Sequence, residues 1–177
     1  MSLALGDRAP AFSLPATDGT PVAFGAGTQA AATVVVFTCN HCPYALAWHE
    51  RLIDAAADHA ARGVLTVHVN PNDADRYPKD GPEAMAERVA EGAFGDVPYL
   101  RDPEQEAARA YGAQVTPDVF VLDETAVVRY RGAPDPSHDD PDGEARWLRD
   151  AVDAVLAGRE PSRAETRPIG CSIKWRP

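Results

Sequence analysis

Long apolar runs are missing from this chain. The longest, Ala30 to Phe37, contains a threonine and is far too short to cross a bilayer, so no membrane association is expected. Lysine is scarce: Lys79 and Lys174 stand against fifteen arginines, and the net charge is −10. An acidic balance of this size offers no basic face to phosphates, which argues against nucleic acid as a partner. Three cysteines among 177 residues are too few for a disulfide scaffold. The opening Met1–Asp7 has no basic region ahead of an apolar core, so no secretory leader is expected and a cytoplasmic location is. Internal repeats are also absent.

What is present is a tetrad, Cys39-Asn40-His41-Cys42, set between the apolar run Ala32–Phe37 and a segment with helical spacing that opens at Pro43. A strand delivering C-x-x-C to the start of a helix is the thioredoxin-type redox arrangement. First-turn N–H groups lack intrahelical partners and stabilise a thiolate placed among them. Cys39 is therefore expected to attack and Cys42 to resolve the mixed disulfide.

Residues 1 to 20 read as irregular, and Pro21–Phe24 as a short edge strand. The motif helix carries a stripe through Leu46, Leu52, Ile53, Ala56, Ala57 and Ala60 and stops at Gly63. Further strands are expected at Val64–Val69, Val97–Leu100, Val119–Leu122 and Ala126–Tyr130. Helices are expected at Pro82–Glu91, from Asp102-Pro103 to Tyr111, and at Glu144–Leu156. The order predicts one α/β domain over 1–177, a mixed sheet flanked by helices, with a polar tail over 159–177.

Gly6 to Thr20 resembles the opening of the alkyl hydroperoxide reductase/thiol-specific antioxidant group. Thr38-Cys39-Asn40-His41-Cys42-Pro43-Tyr44 and the closing Gly170-Cys171-Ser172-Ile173-Lys174-Trp175 are similar to peroxiredoxin-like or redoxin-domain proteins, and Val115-Thr116-Pro117-Asp118 to the thioredoxin cis-proline segment. The resemblance implies a thioredoxin-like fold with an N-terminal extension. Pro117 lies 78 positions beyond Cys39, which leaves room for an inserted βα unit within residues 70 to 100. Two departures stand out. The peroxiredoxin frame P-x-x-x-T-x-x-C counted back from Cys39 meets Val36 and Ala32, so the hydroxyl that would orient a peroxide is missing there. Thr33 occupies the place of the thioredoxins' buried aspartate.

The resemblance also implies a cis Pro117 that exposes the Thr116 backbone for β-type pairing with a substrate chain. His41, ahead of the second cysteine as in protein disulfide isomerase, is expected to stabilise the neighbouring thiolate. Asn40 is a candidate helix cap or substrate contact. Cys171 is a candidate third redox thiol, although a tail docked on the opposite face is preferred. Cys39, His41, Cys42 and Cys171 could in principle hold zinc, but adjacent His41 and Cys42 make a tetrahedral shell awkward; no metal and no cofactor is expected. The acidic loop from Asp135 to Asp142 reads as solvated.

The function expected is thiol–disulfide exchange on a protein or small-molecule disulfide, with electrons from a thioredoxin or glutathione system. The alternatives are a thiol-dependent antioxidant peroxidase with Cys39 as peroxidatic cysteine, and a non-enzymatic redox-sensing binding module.

Overall fold

A computed structural model describes residues 2–177. Phe12–Pro15 (β1) and Pro21–Phe24 (β2) pair as an antiparallel hairpin, so residues 1 to 20 are not irregular throughout. Asp18 closes the turn by accepting the Thr20 N–H at 2.9 Å. The alternation in β1 is broken by Pro15, which hid it.

Ala32–Phe37 (β3) is buried at all six positions, as expected of a central strand covered on both faces. Helix α1 (Pro43–Ala60) crosses to Val64–Asn70 (β4), parallel to β3. A single 3-10 turn at Pro78–Asp80 and helix α2 (Pro82–Ala90) lead to Tyr99–Arg101 (β5), parallel to β4 at the sheet edge. This α2–β5 stretch is the inserted unit expected between residues 70 and 100. Helix α3 (Glu106–Tyr111) ends at Gly112, whose φ of 68° suits the left-handed cap. Val115–Thr116 (β6) precedes the cis Thr116–Pro117 bond. Asp118–Asp123 (β7) and Val128–Gly132 (β8) form the antiparallel hairpin, and α4 (Arg146–Leu156) follows. The sheet runs β5-β4-β3-β7-β8, and Cys171–Ser172 (β9) pairs with β6 outside it. The fold is thioredoxin-like.

The period-two alternation of β3 divides the interior in two. Val35 and Phe37 join Phe24, Tyr111 and Phe120 under the N-terminal hairpin and α3. Val34 and Val36 join Trp48, Leu52, Tyr130, Leu148 and Val152 beneath α1 and α4. Each large apolar side chain so buried contributes about 1.5–3 kcal/mol. The buried face of α1 runs through Ala45, Trp48, Leu52, Ala55 and His59, whereas Leu46 is 46% exposed and Ala57 and Ala60 face solvent. The expected stripe is thus displaced, because Trp48 sets which side packs.

Candidate functional site

Strand β3 ends two residues before Cys39, and α1 begins only at Pro43. Cys42, with φ −72° and ψ 123°, is therefore the N-cap residue, and the first-turn N–H groups act on Cys42 rather than on Cys39. This corrects the expected placement of the charge. The Cys42 thiol is held well below its ordinary range, first by the hydrogen bond from the Cys39 S–H and, against the cost of burial, by the Cys171 thiol and by N–H groups of Ala45 and Cys171. The Cys39 thiol is pushed up because it shares its proton with Cys42, because it is buried, and because the Asp80 charge lies close. One contact opposes this assignment: the Thr116 carbonyl, 3.1 Å from Cys42 Sγ, favours a protonated Cys42. The N–H groups of Ala45 and Cys171 favour charge on Cys42, and the Thr116 carbonyl opposes it. Both residues are at most 1% exposed.

Asn40 and His41 lead to a residue the motif did not point to. Asp80, its side chain fully buried, accepts the Asn40 N–H at 2.7 Å, Asn70 Nδ2 at 3.1 Å and Asn72 Nδ2 at 3.0 Å. His41 Nδ1 lies 2.5 Å from Asp80 Oδ2, the oxygen that also accepts from Asn72, and the His41 ring stacks on Tyr77 at 5.8 Å. Asn40 Oδ1 in turn accepts from Tyr99 (2.8 Å) and Arg88 (3.0 Å). Asn40 thus ties the motif loop to the inserted unit and makes no side-chain cap of α1. The carboxylate missing at Thr33 is supplied from the far end of a loop, forty positions from Asn40. No spacing rule would have pointed to it; the only sequence signal was the polar Asn70-Pro71-Asn72 turn.

Thr116 and the cis Pro117 do face the cysteines, with Thr116 Oγ1 3.3 Å from Cys39 Sγ. Their backbone is not free for a substrate chain. β9 already pairs with β6, Thr116 opposite Cys171 and Val115 opposite Ser172. The expected exposure of Thr116 is corrected accordingly, since Thr116 and Pro117 are both buried. The tail also docks over the motif and not on the opposite face, and the Cys171 N–H donates to Cys42 Sγ at 3.4 Å.

A family model described as Redoxin matches residues 4–146. The chain belongs to the Redoxin family. Two solved structures resemble this redoxin over nearly its whole length. An uncharacterized conserved protein from Geobacillus kaustophilus is 40% identical, covers 98% of this chain and 93% of its own, and superposes with a TM-score of 0.87. A hypothetical protein from Sinorhizobium meliloti 1021 is 36% identical, with 99% and 97% covered and a TM-score of 0.88. A putative thiol:disulfide interchange protein DsbE from Chlorobium tepidum, 24% identical over 73% of this chain and 85% of its own with a TM-score of 0.61, shares the fold. No curated protein matches.

Among the described residues of the redoxin, one group brings metal-ligand types together: Cys39 Sγ, His41 Nδ1 and an Asp80 oxygen lie within 4.8 Å of one another. The donor types suit zinc. The Asp80 oxygens, however, are already taken by Asn40, Asn70 and Asn72, which fits a fixed counter-charge better than a ligand. Cys42 and Cys171, of the four ligands the sequence offered, are not part of this group. The acidic loop is not simply solvated. Arg51 inserts into it, donating to Asp135 (2.8 Å) and to the carbonyls of Ser137, His138 and Asp140, while Trp48 Nε1 donates to Asp135 at 2.8 Å. An internal guanidinium fills the place where a cation could sit.

Proposed function

We propose that this redoxin is a thiol–disulfide oxidoreductase in which Cys39 and Cys42 cycle between dithiol and disulfide. The observation that carries the reading is geometric: Cys39 and Cys42 pack in one buried cluster at the N-terminus of α1, against Thr116 of the cis-proline segment. In the first step the Cys42 thiolate takes the Cys39 proton while Cys39 sulfur attacks a substrate disulfide, forming a mixed disulfide and expelling one substrate thiolate. That thiolate then takes the proton from Cys42. Cys42 attacks Cys39 sulfur, the Cys39–Cys42 bond forms and the second substrate thiolate leaves. Cys42 is bonded to the Thr116 carbonyl and the Cys171 N–H, which supports Cys39 as the attacking sulfur. Because β9 fills the Thr116 edge, small disulfides are favoured over extended protein chains. A thiol reductant of the glutathione or thioredoxin kind closes the cycle in the cytoplasm.

A second reading draws on Thr116 Oγ1, which places beside Cys39 the hydroxyl that Val36 lacks. A hydroperoxide would then oxidise Cys39 to a sulfenic acid, and Cys42 would displace water to give the same disulfide. Parallel assays of small-disulfide reduction, insulin reduction and hydroperoxide consumption, each with a thiol donor, separate the two. Reduction of the small disulfide, abolished in Cys39→Ser, supports exchange. Hydroperoxide consumption alone supports the peroxidase, and inactivity of folded, reduced protein in all three assays leaves a sensing or binding module.

A further inference from the structure

Cys42 packs with both other cysteines. Its thiol is held low by Cys39 and Cys171 together. Register puts Cys171 opposite Thr116, and Thr116 carries the carbonyl lying 3.1 Å from Cys42 Sγ. With the Cys171 nitrogen 3.4 Å from that sulfur and its Cβ two bonds further on, the Cys171 side chain can bring sulfur to sulfur with little movement of backbone. The three cysteines share one apolar cluster with Ala45 and Tyr44. Of the three sulfurs, only the one on Cys171 belongs to a residue partly open to solvent.

The tail that carries it is built in. Gly170 passes so close to Thr116 that a Cβ there would stand 2.1 Å from the Thr116 carbonyl oxygen. Ile173 is buried, Lys174 N–H donates to Asn72 Oδ1 at 2.9 Å, and the Lys174 carbonyl accepts from Asp73 N–H (2.9 Å) and Gln105 Nε2 (2.9 Å). The Arg109 guanidinium lies 4.6 Å over the Trp175 ring.

We propose that Cys171 is the third thiol of this centre, taking the disulfide from Cys42 and carrying it outward to the external thiol reductant. The inference rests on the Cys39–Cys42 cycle above. Cys171 thiolate attacks Cys42 sulfur of the Cys39–Cys42 disulfide. A Cys42–Cys171 bond forms, the Cys39–Cys42 bond breaks, and Cys39 leaves as a thiolate that takes up the proton Cys171 gave away. One disulfide enters and one leaves, so no further oxidant is needed. A thiolate of the reductant then attacks the accessible Cys171 sulfur and expels Cys42. A second reductant thiolate attacks the resulting mixed disulfide and restores Cys171. The stabilised Cys42 thiolate is a good leaving group in the exposed step. In the dithiol state Cys171 is held protonated, its thiol pushed up to about 11 by burial first and then by the charge of Cys42. Once Cys42 is bound in a disulfide that charge is gone, and one of the causes holding Cys171 protonated is removed.

The test starts from the full-length, fully reduced protein, oxidised with one equivalent of glutathione disulfide, quenched in acid with N-ethylmaleimide and mapped without reduction. Both Cys39–Cys42 and Cys42–Cys171 peptides are expected from the wild type. Cys42–Cys171 alone is expected from Cys39→Ser, and Cys39–Cys42 alone from Cys171→Ser. Reduction of the oxidised Cys171→Ser protein by glutathione should be about 10-fold slower than that of wild type. Cys171 recovered alkylated in all oxidised wild-type samples, or wild-type reduction kinetics in Cys171→Ser, overturns the relay and leaves the cysteine pair standing. A Cys171→Ser protein that forms no Cys39–Cys42 bridge overturns the pair cycle itself, and the relay with it.

Discussion

Thr116 sits opposite Cys171 in a two-residue antiparallel ladder, and this pairing closes the lid over Cys39 and Cys42. The segment that a thioredoxin-like protein would offer to a substrate strand is engaged by the protein's own tail, whose Cys171 packs against the cysteine pair.

That engagement depends on the missing side chain at Gly170. In Gly170→Ala the new Cβ meets the Thr116 carbonyl at 2.1 Å, and backbone on both strands leaves little room to yield. β9 should lift, and iodoacetamide should label Cys39 and Cys42 at least about 10-fold faster than in the wild type, as expected when buried thiols become accessible. Unchanged labelling would show that the tail does not shield the pair.

A single thiolate is expected in the reduced protein at neutral pH, on Cys42. Its absorbance near 240 nm should persist as pH falls below the ordinary thiol range. In Cys39→Ser the strongest stabilising donor changes, and the titration midpoint should rise. A wild-type protein with no thiolate absorbance below pH 8 would return the charge assignment to the carbonyl contact from Thr116.

Asp80 and His41 should move the reduction potential in opposite directions. Asp80 places negative charge beside Cys39 and disfavours the thiolate form. Asp80→Asn should make the disulfide easier to reduce. His41→Gly removes the imidazole that faces Asp80 at 2.5 Å and leaves that charge to the neutral donors of Asn40, Asn70 and Asn72, so the disulfide should become harder to reduce. Shifts of about 30 mV, equivalent to about 1.4 kcal/mol, are the scale to look for in a glutathione titration. Shifts of the same sign in both variants would refute the counter-charge role.

Asp118 follows the cis proline, and burial pushes its carboxyl up to about 7, only partly offset by the Gln114 N–H at 3.1 Å. Between the unfolded carboxyl's value near 4 and this one, unfolding releases a proton. Stability should therefore fall as pH rises through that window, by up to about 1.4 kcal/mol per pH unit. Asp118→Asn should flatten this slope in urea melts recorded between pH 4 and 8; an unchanged slope would mean that Asp118 is ionised throughout.

Much of this was legible locally. The β-branched run Ala32–Phe37, Pro43 at the first position of α1, and Gly112 at the end of α3 each act through backbone preferences carried by a few adjacent residues, so the strand–cysteine–helix order followed from sequence. The C-x-x-C spacing likewise pointed to Cys39 and Cys42. Tertiary structure decided the rest. The Cys171 N–H reaches the Cys42 sulfur, and so favours charge there, only because the tail folds back over the motif. Asp80 reaches the motif because the inserted unit folds back on β4, and a buried carboxylate is recognised only by donors from Asn40, Asn70 and Asn72 that spacing does not connect. β9 is two residues long, too short for any periodicity, and its place is set by a strand 55 positions away, by Gly170's closeness to Thr116 and by side chains that anchor Lys174 and Trp175. Local preference is written along the chain, but which distant groups desolvate one another is settled only when the sheet and tail have packed.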